Sequence, residues 1–338
     1  MNASQYSATA SPGARARYFA IAEVAGWVAL WCVLRALLVL AFADVFVFGE
    51  ELEKACAGKA LLDGIALPYY QLAYHPYEGG GFVVSHLDAL AFALFGESLL
   101  VVKLVALALG AAILVAGWKL CERFGGRTAA RAFAALYVFA PQSVQANSLL
   151  TLGIHYHAIL FIALVLLLAA RAVDERRLAP RTAFALGLCA GFGLYFSYQL
   201  ALTIAVAALV LVVTLRREAF RVGALWLVLG ALLGLTPLLW MAAHVGAAIF
   251  DVHGAGLMPK ADALAGKANV VRAFATSLFG GRSLGDSAAL VALCVAPFVG
   301  WFGARRGASR TLSTLLAVYI VVFVLAYVLG DFTIGAVL

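Results

Sequence analysis

The run Phe19–Ala43 is apolar throughout except for Glu23 and Arg35. About 20 such residues, wound into a helix, cross a hydrocarbon core of about 30 Å. Similar runs recur along the 338 residues. The composition agrees, with 65% hydrophobic and only 12% charged residues and a mean hydropathy of +1.00, where soluble domains carry about a quarter charged. The runs do not alternate in polarity, so a membrane barrel is excluded. A chain of this kind satisfies its backbone in lipid only by helix formation, and we read residues 1–338 as one all-α integral membrane domain. Arg15 and Arg17 before the first run, and Ala41-Phe42-Ala43 at its end, imitate a cleaved leader. The run exceeds the about 7–15 residues of a leader's apolar core, which points to an uncleaved first span.

Basic residues punctuate the runs: Arg15 and Arg17; Lys119 to Arg131; Arg171 to Arg181; Arg216 to Arg221; Arg305 to Arg310. Placing all of them in the cytoplasm satisfies the positive-inside rule. The predicted spans are 19–43 and 98–119, a hairpin over 131–171, a second hairpin over 181–216 bent near Tyr195–Gln199, then 222–245, 287–303 and 311–330. That makes about 9 transmembrane helices, with the N-terminus cytoplasmic. Phe82–Gly96 is too short to cross and carries His86 and Asp88, so it is predicted as an interfacial helix. The net charge of +7 follows from this topology and does not indicate nucleic acid. Of the five cysteines only Cys56 falls in an outer loop, so no outer disulfide is expected.

Twelve of the 17 acidic residues and all six histidines fall on the outer side. Histidine has no part in the charge rule, so its clustering is separate information. It gathers groups capable of acid–base work at one face, although polar loops also collect charge without any function. Three segments build this face: an outer loop over 44–97, a second over 246–286, and the vertex of the first hairpin. Pro141 breaks the helix in that vertex. Gln142, Gln145, Asn147, Ser148, Thr151, His155 and His157 then stand where apolar residues would cost less, as expected of a cavity lining.

In the first loop, Asp44, Glu50, Glu51 and Glu53 crowd the end of the first span. A partly desolvated carboxylate at Glu50 or Glu51 is suited to take a proton from a hydroxyl; the bland alternative is the acidic face of a surface helix. Glu53 and Lys54 are expected to be solvated. His75-Pro76 precedes Gly79-Gly80-Gly81, which either lets backbone approach a ligand or makes a turn. Lys103 and Arg35 are suited to a lipid phosphate or, for Lys103, to snorkelling toward headgroups. No P-loop, HExxH, GxSxG or Asp-x-Asp motif occurs, and no metal-ligand spacing is present.

The order of these pieces resembles the polytopic GT-C glycosyltransferases, specifically the bacterial relatives of protein O-mannosyltransferases in glycosyltransferase family 39. The matching text is Gly49-Glu50-Glu51-Leu52, Leu61-Leu62-Asp63-Gly64, His75-Pro76-Tyr77 and Phe95-Gly96-Glu97-Ser98. The resemblance implies a GT-C-like bundle that moves a sugar from a polyprenyl-phosphate carrier to a lipid, glycan or protein acceptor on the outer side of a bacterial inner membrane. It puts the catalytic acid on Glu50, with Glu51 its neighbour and His75 the histidine of His-Pro. It implies no organic cofactor; a divalent metal is possible but not indicated. The substrate-binding candidates are Asp44, His75, Tyr77, Lys103, Gln142, Asn147, His155, Tyr156 and His157. Where the family often has an acid at the outer start of the fourth span, this chain has His155-Tyr156-His157. Relatives continue through more spans than fit before Leu338. The rival readings are a lipid-linked-sugar flippase or transporter, and an inactive assembly partner.

Overall fold

The computed structural model describes residues 12–42, 47–65, 79–215, 217–246 and 249, together with 314, 316–322 and 325. Asp44, His75, Tyr77, nearly all of the second outer loop and the span predicted at 287–303 lie outside the described residues. Among the described residues all regular structure is helical. The helices are α1 (Pro12–Phe42), α2 (Gly49–Leu62), α3 (Gly79–Phe95), α4 (Leu99–Val138), α5 (Gln142–Asn147), α6 (Ala158–Asp174), α7 (Pro180–Phe196), α8 (Leu200–Thr214) and α9 (Arg217–Val245).

Ser98 caps α4, its hydroxyl accepting from the Val101 amide at 3.3 Å. The helix continues past the predicted end near residue 119, because the basic stretch after Trp118 is itself rich in good helix formers. It reverses at Gly126, whose φ of 69° favours glycine. The two halves then fold back on each other. Gly117 lies so close to Phe133 that a Cβ there would meet the ring at 2.2 Å, and the Tyr137 hydroxyl donates to the Gly110 carbonyl at 3.0 Å. Trp31 of α1 fills the cleft between the halves with Leu114, Trp118, Ala130 and Ala134.

The predicted bend of the second hairpin falls where expected: α7 ends at Phe196 and α8 begins at Leu200. α7 and α9 then pack backbone to backbone. A Cβ on Gly187 would lie 2.1 Å from the Leu227 carbonyl oxygen, and one on Gly191 2.4 Å from that of Ala231. On the facing helix, a Cβ on Gly230 would lie 2.2 Å from the Phe184 oxygen and one on Gly234 2.5 Å from that of Leu188. Residue numbers rise together in these pairs, so α7 and α9 run parallel, and α8, which makes the return crossing between them in sequence, packs mainly against α6. Small residues at helix interfaces are the usual means of close packing in lipid. The outward faces stay apolar, with Leu225, Leu232, Leu233 and Trp240 of α9 exposed. Phe19–Phe42, Leu99–Val138 and Gly223–Val245 are long and apolar enough to cross a membrane. α6 and α7, at 17 residues each, and α8, at 15, are shorter.

Two ends result. The Gly126 turn and the α6–α7 connection lie at one end, where Arg123 pairs with Asp174 and Arg131 with Glu23. The first-hairpin vertex, the α7–α8 bend and the N-termini of α2 and α3 lie at the other. The glycine seam supplies a test. Gly191→Leu should lower the thermal midpoint of the purified protein in detergent, by overpacking worth about 1–3 kcal/mol, whereas Leu225→Ala on the outward face of the same pair should leave it nearly unchanged.

Candidate active site

Glu50 and Glu51 open α2, where carboxylates are favoured by the helix dipole. Successive helical residues point about 100° apart, so the two cannot share an environment. Glu51 turns inward with Lys54, Ala55 and Gly58, which form the buried face of α2, and it is fully buried. Lys103 of α4 reaches one of its oxygens at 2.5 Å. The other accepts from the Thr151 amide at 3.0 Å and the Thr151 hydroxyl at 3.1 Å. Glu51 is thereby committed on both oxygens. Lys103 is buried beside it rather than extended to the headgroups.

Glu50 keeps 31% of its side chain exposed and faces the Lys54 ammonium at 3.6 Å. Lys54 is only 4% exposed, which corrects the expectation that it is solvated. Its buried position follows from the i, i+3, i+4, i+7 face of α2 shared with Glu51, Ala55 and Gly58. The sequence reading weighs the acidic cluster and takes Lys54 as solvated by its charge, without following the face that it shares with Glu51.

The triple glycine also departs from expectation, since it meets protein. A Cβ at Gly79 would strike Tyr195, one at Gly80 would strike Ile154 and the Phe196 carbonyl, and one at Gly81 would strike Lys54. The start of α3 is thus wedged between α2 and the vertices of both hairpins. Further along α3, Asp88 is fully buried and neither oxygen has a hydrogen-bond partner. Burial, reinforced by the negative charge of Glu51 and opposed by Lys54, pushes its carboxyl up to about 7. A lone acid in an apolar helix gave no sign of this beyond its presence.

The vertex residues separate into two groups. His155 lies beside the Glu50 side: burial lowers its pKa while Glu50 pulls in the opposite direction. Its Nδ1 sits 3.4 Å from Nε2 of Gln199, a residue of the α7–α8 bend that sequence reasoning did not select. His157 is buried and both ring nitrogens lack partners; burial pushes it down to about 4, so it is neutral at pH 7. Tyr156 points inward and its hydroxyl donates to that of Tyr137 at 2.9 Å. Asn147 is exposed, and the side chain of Gln142 lies outside the described residues.

Arg35 likewise turns into the bundle. It donates to the Ser148 hydroxyl at 2.9 Å, the Val138 and Tyr137 carbonyls at 3.3 and 3.4 Å and Gln145 Oε1 at 3.4 Å. It also lies over the Trp31 ring. It ties the carbonyls at the end of α4 to α1 and the vertex, and it is buried rather than open to a lipid phosphate. Among the described residues no group of three or more His, Cys, Asp or Glu side chains is arranged to hold a metal ion. The resulting site is an open carboxylate, a histidine near it and a buried frame of charges behind them.

Two measurements probe that frame. Lys103→Met leaves Glu51 buried without its cation, and should destabilise the protein by about 3–5 kcal/mol, read as a lowered thermal midpoint in detergent. For Asp88, the folded carboxyl titrates near 7 and the unfolded one near its ordinary value of about 3.9. The folded state therefore binds more protons between these values, and stability falls as pH rises through that window. Asp88→Asn should remove this loss, so that from pH 5 to pH 8 the midpoint of the native chain drops relative to that of the variant.

A family model described as dolichyl-phosphate-mannose-protein mannosyltransferase matches residues 75–241. The matched segment includes the start of α3, Lys103, Thr151, both hairpin vertices and the glycine seam. No curated protein and no solved structure matched the chain. The family match supports a GT-C-like glycosyltransferase, and with the apolar helices it supports a multi-pass membrane protein that uses a lipid-linked sugar donor.

Proposed function

Proceeding from that family, we propose that the chain transfers a sugar from a polyprenyl-phosphate carrier to an acceptor hydroxyl on the outer side of a bacterial inner membrane, with Glu50 as general base. The observation that carries this reading is the contrast within one turn of helix. Glu51 is locked by Lys103 and Thr151, while Glu50 remains partly exposed. A base must reach the proton it removes, and of the two only Glu50 is open.

In the transfer, the acceptor hydroxyl loses its proton to the Glu50 carboxylate as its oxygen bonds to the anomeric carbon. The bond from that carbon to the phosphate oxygen breaks, and the lipid phosphate leaves with the electron pair. A single displacement inverts the anomeric configuration and consumes no nucleotide. The Lys54 ammonium, 3.6 Å from one Glu50 oxygen, anchors that carboxylate. His155, whose imidazole burial biases toward the neutral form, offers a hydrogen bond to a sugar hydroxyl, and Gln199 orients it. Lys103, first considered for the donor phosphate, is assigned to holding Glu51 in place. His75, Tyr77 and Asp44 remain candidates for donor or acceptor contacts on the strength of the family resemblance.

The bundle in this reading has about nine spans and a cytoplasmic N-terminus, with the basic end inward. α3 lies along the outer interface, one face packed on α2 and α4 and the other presenting Leu90, Leu94 and Phe95 to lipid.

The test presents a panel of polyprenyl-phosphate sugars to membranes carrying the native chain, Glu50→Gln or Glu51→Gln, each checked for folded yield. Glu50→Gln should fold normally and lose about 10²–10⁴-fold in transfer, while Glu51→Gln should show its main defect in folded yield. Full transfer by the Glu50 variant would exclude it as the base. Binding of a donor without turnover by the native chain would favour a transporter.

A further inference from the structure

A cavity of about 340 Å³ opens between α4 and α6 at the basic end of the bundle, remote from the site described above. It is lined by Lys119, Glu122 and Arg123 of α4 and by Leu167, Leu168 and Arg171 of α6. The transfer chemistry uses none of these residues. We propose that this cavity binds the phosphodiester headgroup of an anionic phospholipid, with the first part of an acyl chain lying on the two leucines.

The lining has two chemistries arranged in the order a lipid presents them. Leu167 and Leu168 are half-buried within α6, and Arg171 follows one turn later, near the helix end at Asp174. Lys119 and Arg123 lie in the last turns of α4 before the chain reverses at Gly126. An apolar floor thus passes into a cationic rim along the direction from hydrocarbon to headgroups, the arrangement by which basic pockets between spans hold lipid phosphates.

The rim is braced by one acid for each cation, and the arginines keep hydrogen-bonding capacity. Arg123 gives its Nε to Asp174 at 3.1 Å and Arg171 gives its Nε to Glu175 at 2.8 Å. In each case one edge of the guanidinium is used, and the Nη edge remains for a phosphate oxygen. The two acids orient the arginines from behind. Lys119 pairs with Glu122 at 3.1 Å and stays half exposed. Each of the three cations has one carboxylate partner, so the preference for an anionic phosphodiester rests on the unused Nη edges of the two arginines and not on net charge. Arg177 adds to the positive field around Glu175.

The test uses the purified full chain in mild detergent, titrated with phosphatidylglycerol, with phosphatidylcholine of the same acyl chains, and with glycerol phosphate as the free headgroup. Saturable binding of phosphatidylglycerol is expected, with phosphatidylcholine and glycerol phosphate each weaker by about tenfold or more. The double variant R123Q/R171Q should lower phosphatidylglycerol binding by about tenfold. Its cost in stability should be small, because exposed ion pairs contribute little. Leu168→Trp fills the cavity without touching a charge, and should also weaken binding. Equal binding of the two lipids would overturn the proposal, as would unchanged binding by both variants. Glycerol phosphate binding as tightly as phosphatidylglycerol would overturn the lipid in favour of a free phosphate ester.

Discussion

The ion pair between Glu51 and Lys103 sets the arrangement of the end of the bundle that holds Glu50. It joins the first turn of α2 to the first turns of α4, and through Thr151 it also catches the vertex of the first hairpin. Three segments distant in sequence meet at one carboxylate. Removing such a group from water is expensive, and the cost is met only when its lone pairs are filled and a counter-charge lies in contact. Both conditions hold for Glu51. The pair is better understood as a device for position than as a source of net stability. It fixes the rotation of α2 about its axis, and so decides that Glu50 faces the opening.

The second device is steric. α3 begins with three glycines because its first turn is pressed against Tyr195, Phe196, Ile154 and Lys54 at separations that leave no room for Cβ atoms. Gly58 on α2 meets Ser85 and Asp88 in the same manner. The α2–α3 layer therefore sits close enough to the vertices to bury Lys54 and Asp88 without solvating either. That closeness raises the carboxyl of Asp88 and brings His155 beside the charges of α2, while burial alone lowers the imidazole of His157. Ordinary side chains, brought together in a tight polar layer, acquire unusual proton states there.

Much of the scaffold was legible because the bilayer leaves few choices. A hydrocarbon core of about 30 Å cannot take the apolar stretch 181–216 as one helix, and the bend appears between Phe196 and Leu200. The first span and α9 were legible for the same reason. The gathering of Glu50, Glu51, His155 and His157 at one end was also readable, since it follows from span direction alone. Side-chain orientation was less accessible. Nothing in Glu50-Glu51 says which is locked, because the answer depends on Lys103 and Thr151, which lie 52 and 100 residues away. Lys54 and Arg35 misled for a related reason. Charge suggested solvent or phosphate, whereas one is enclosed by α3 and the other is consumed by carbonyls and Ser148. The basic turn expected after the second span lies where the chain reverses, although the helix runs on through the basic stretch and only Gly126 leaves helical geometry.

The two ends of the bundle use charge in opposite ways. At the basic end the pairs Lys119–Glu122, Arg123–Asp174 and Arg171–Glu175 are exposed to differing degrees, are screened by salt and contribute little energy individually. Their value lies in orientation toward headgroups. At the other end Glu51, Lys54, Asp88 and Lys103 are buried, where electrostatic interactions are far less screened. The proposed glycosyl transfer site gains from the second regime, since a preorganised field costs no reorganisation during reaction. A membrane anchor gains from the first, since loose pairs can exchange partners with lipid phosphates. The same residue types thus form a fixed, preorganised layer at one end and loose, exchangeable pairs at the other, and the depth of burial decides which.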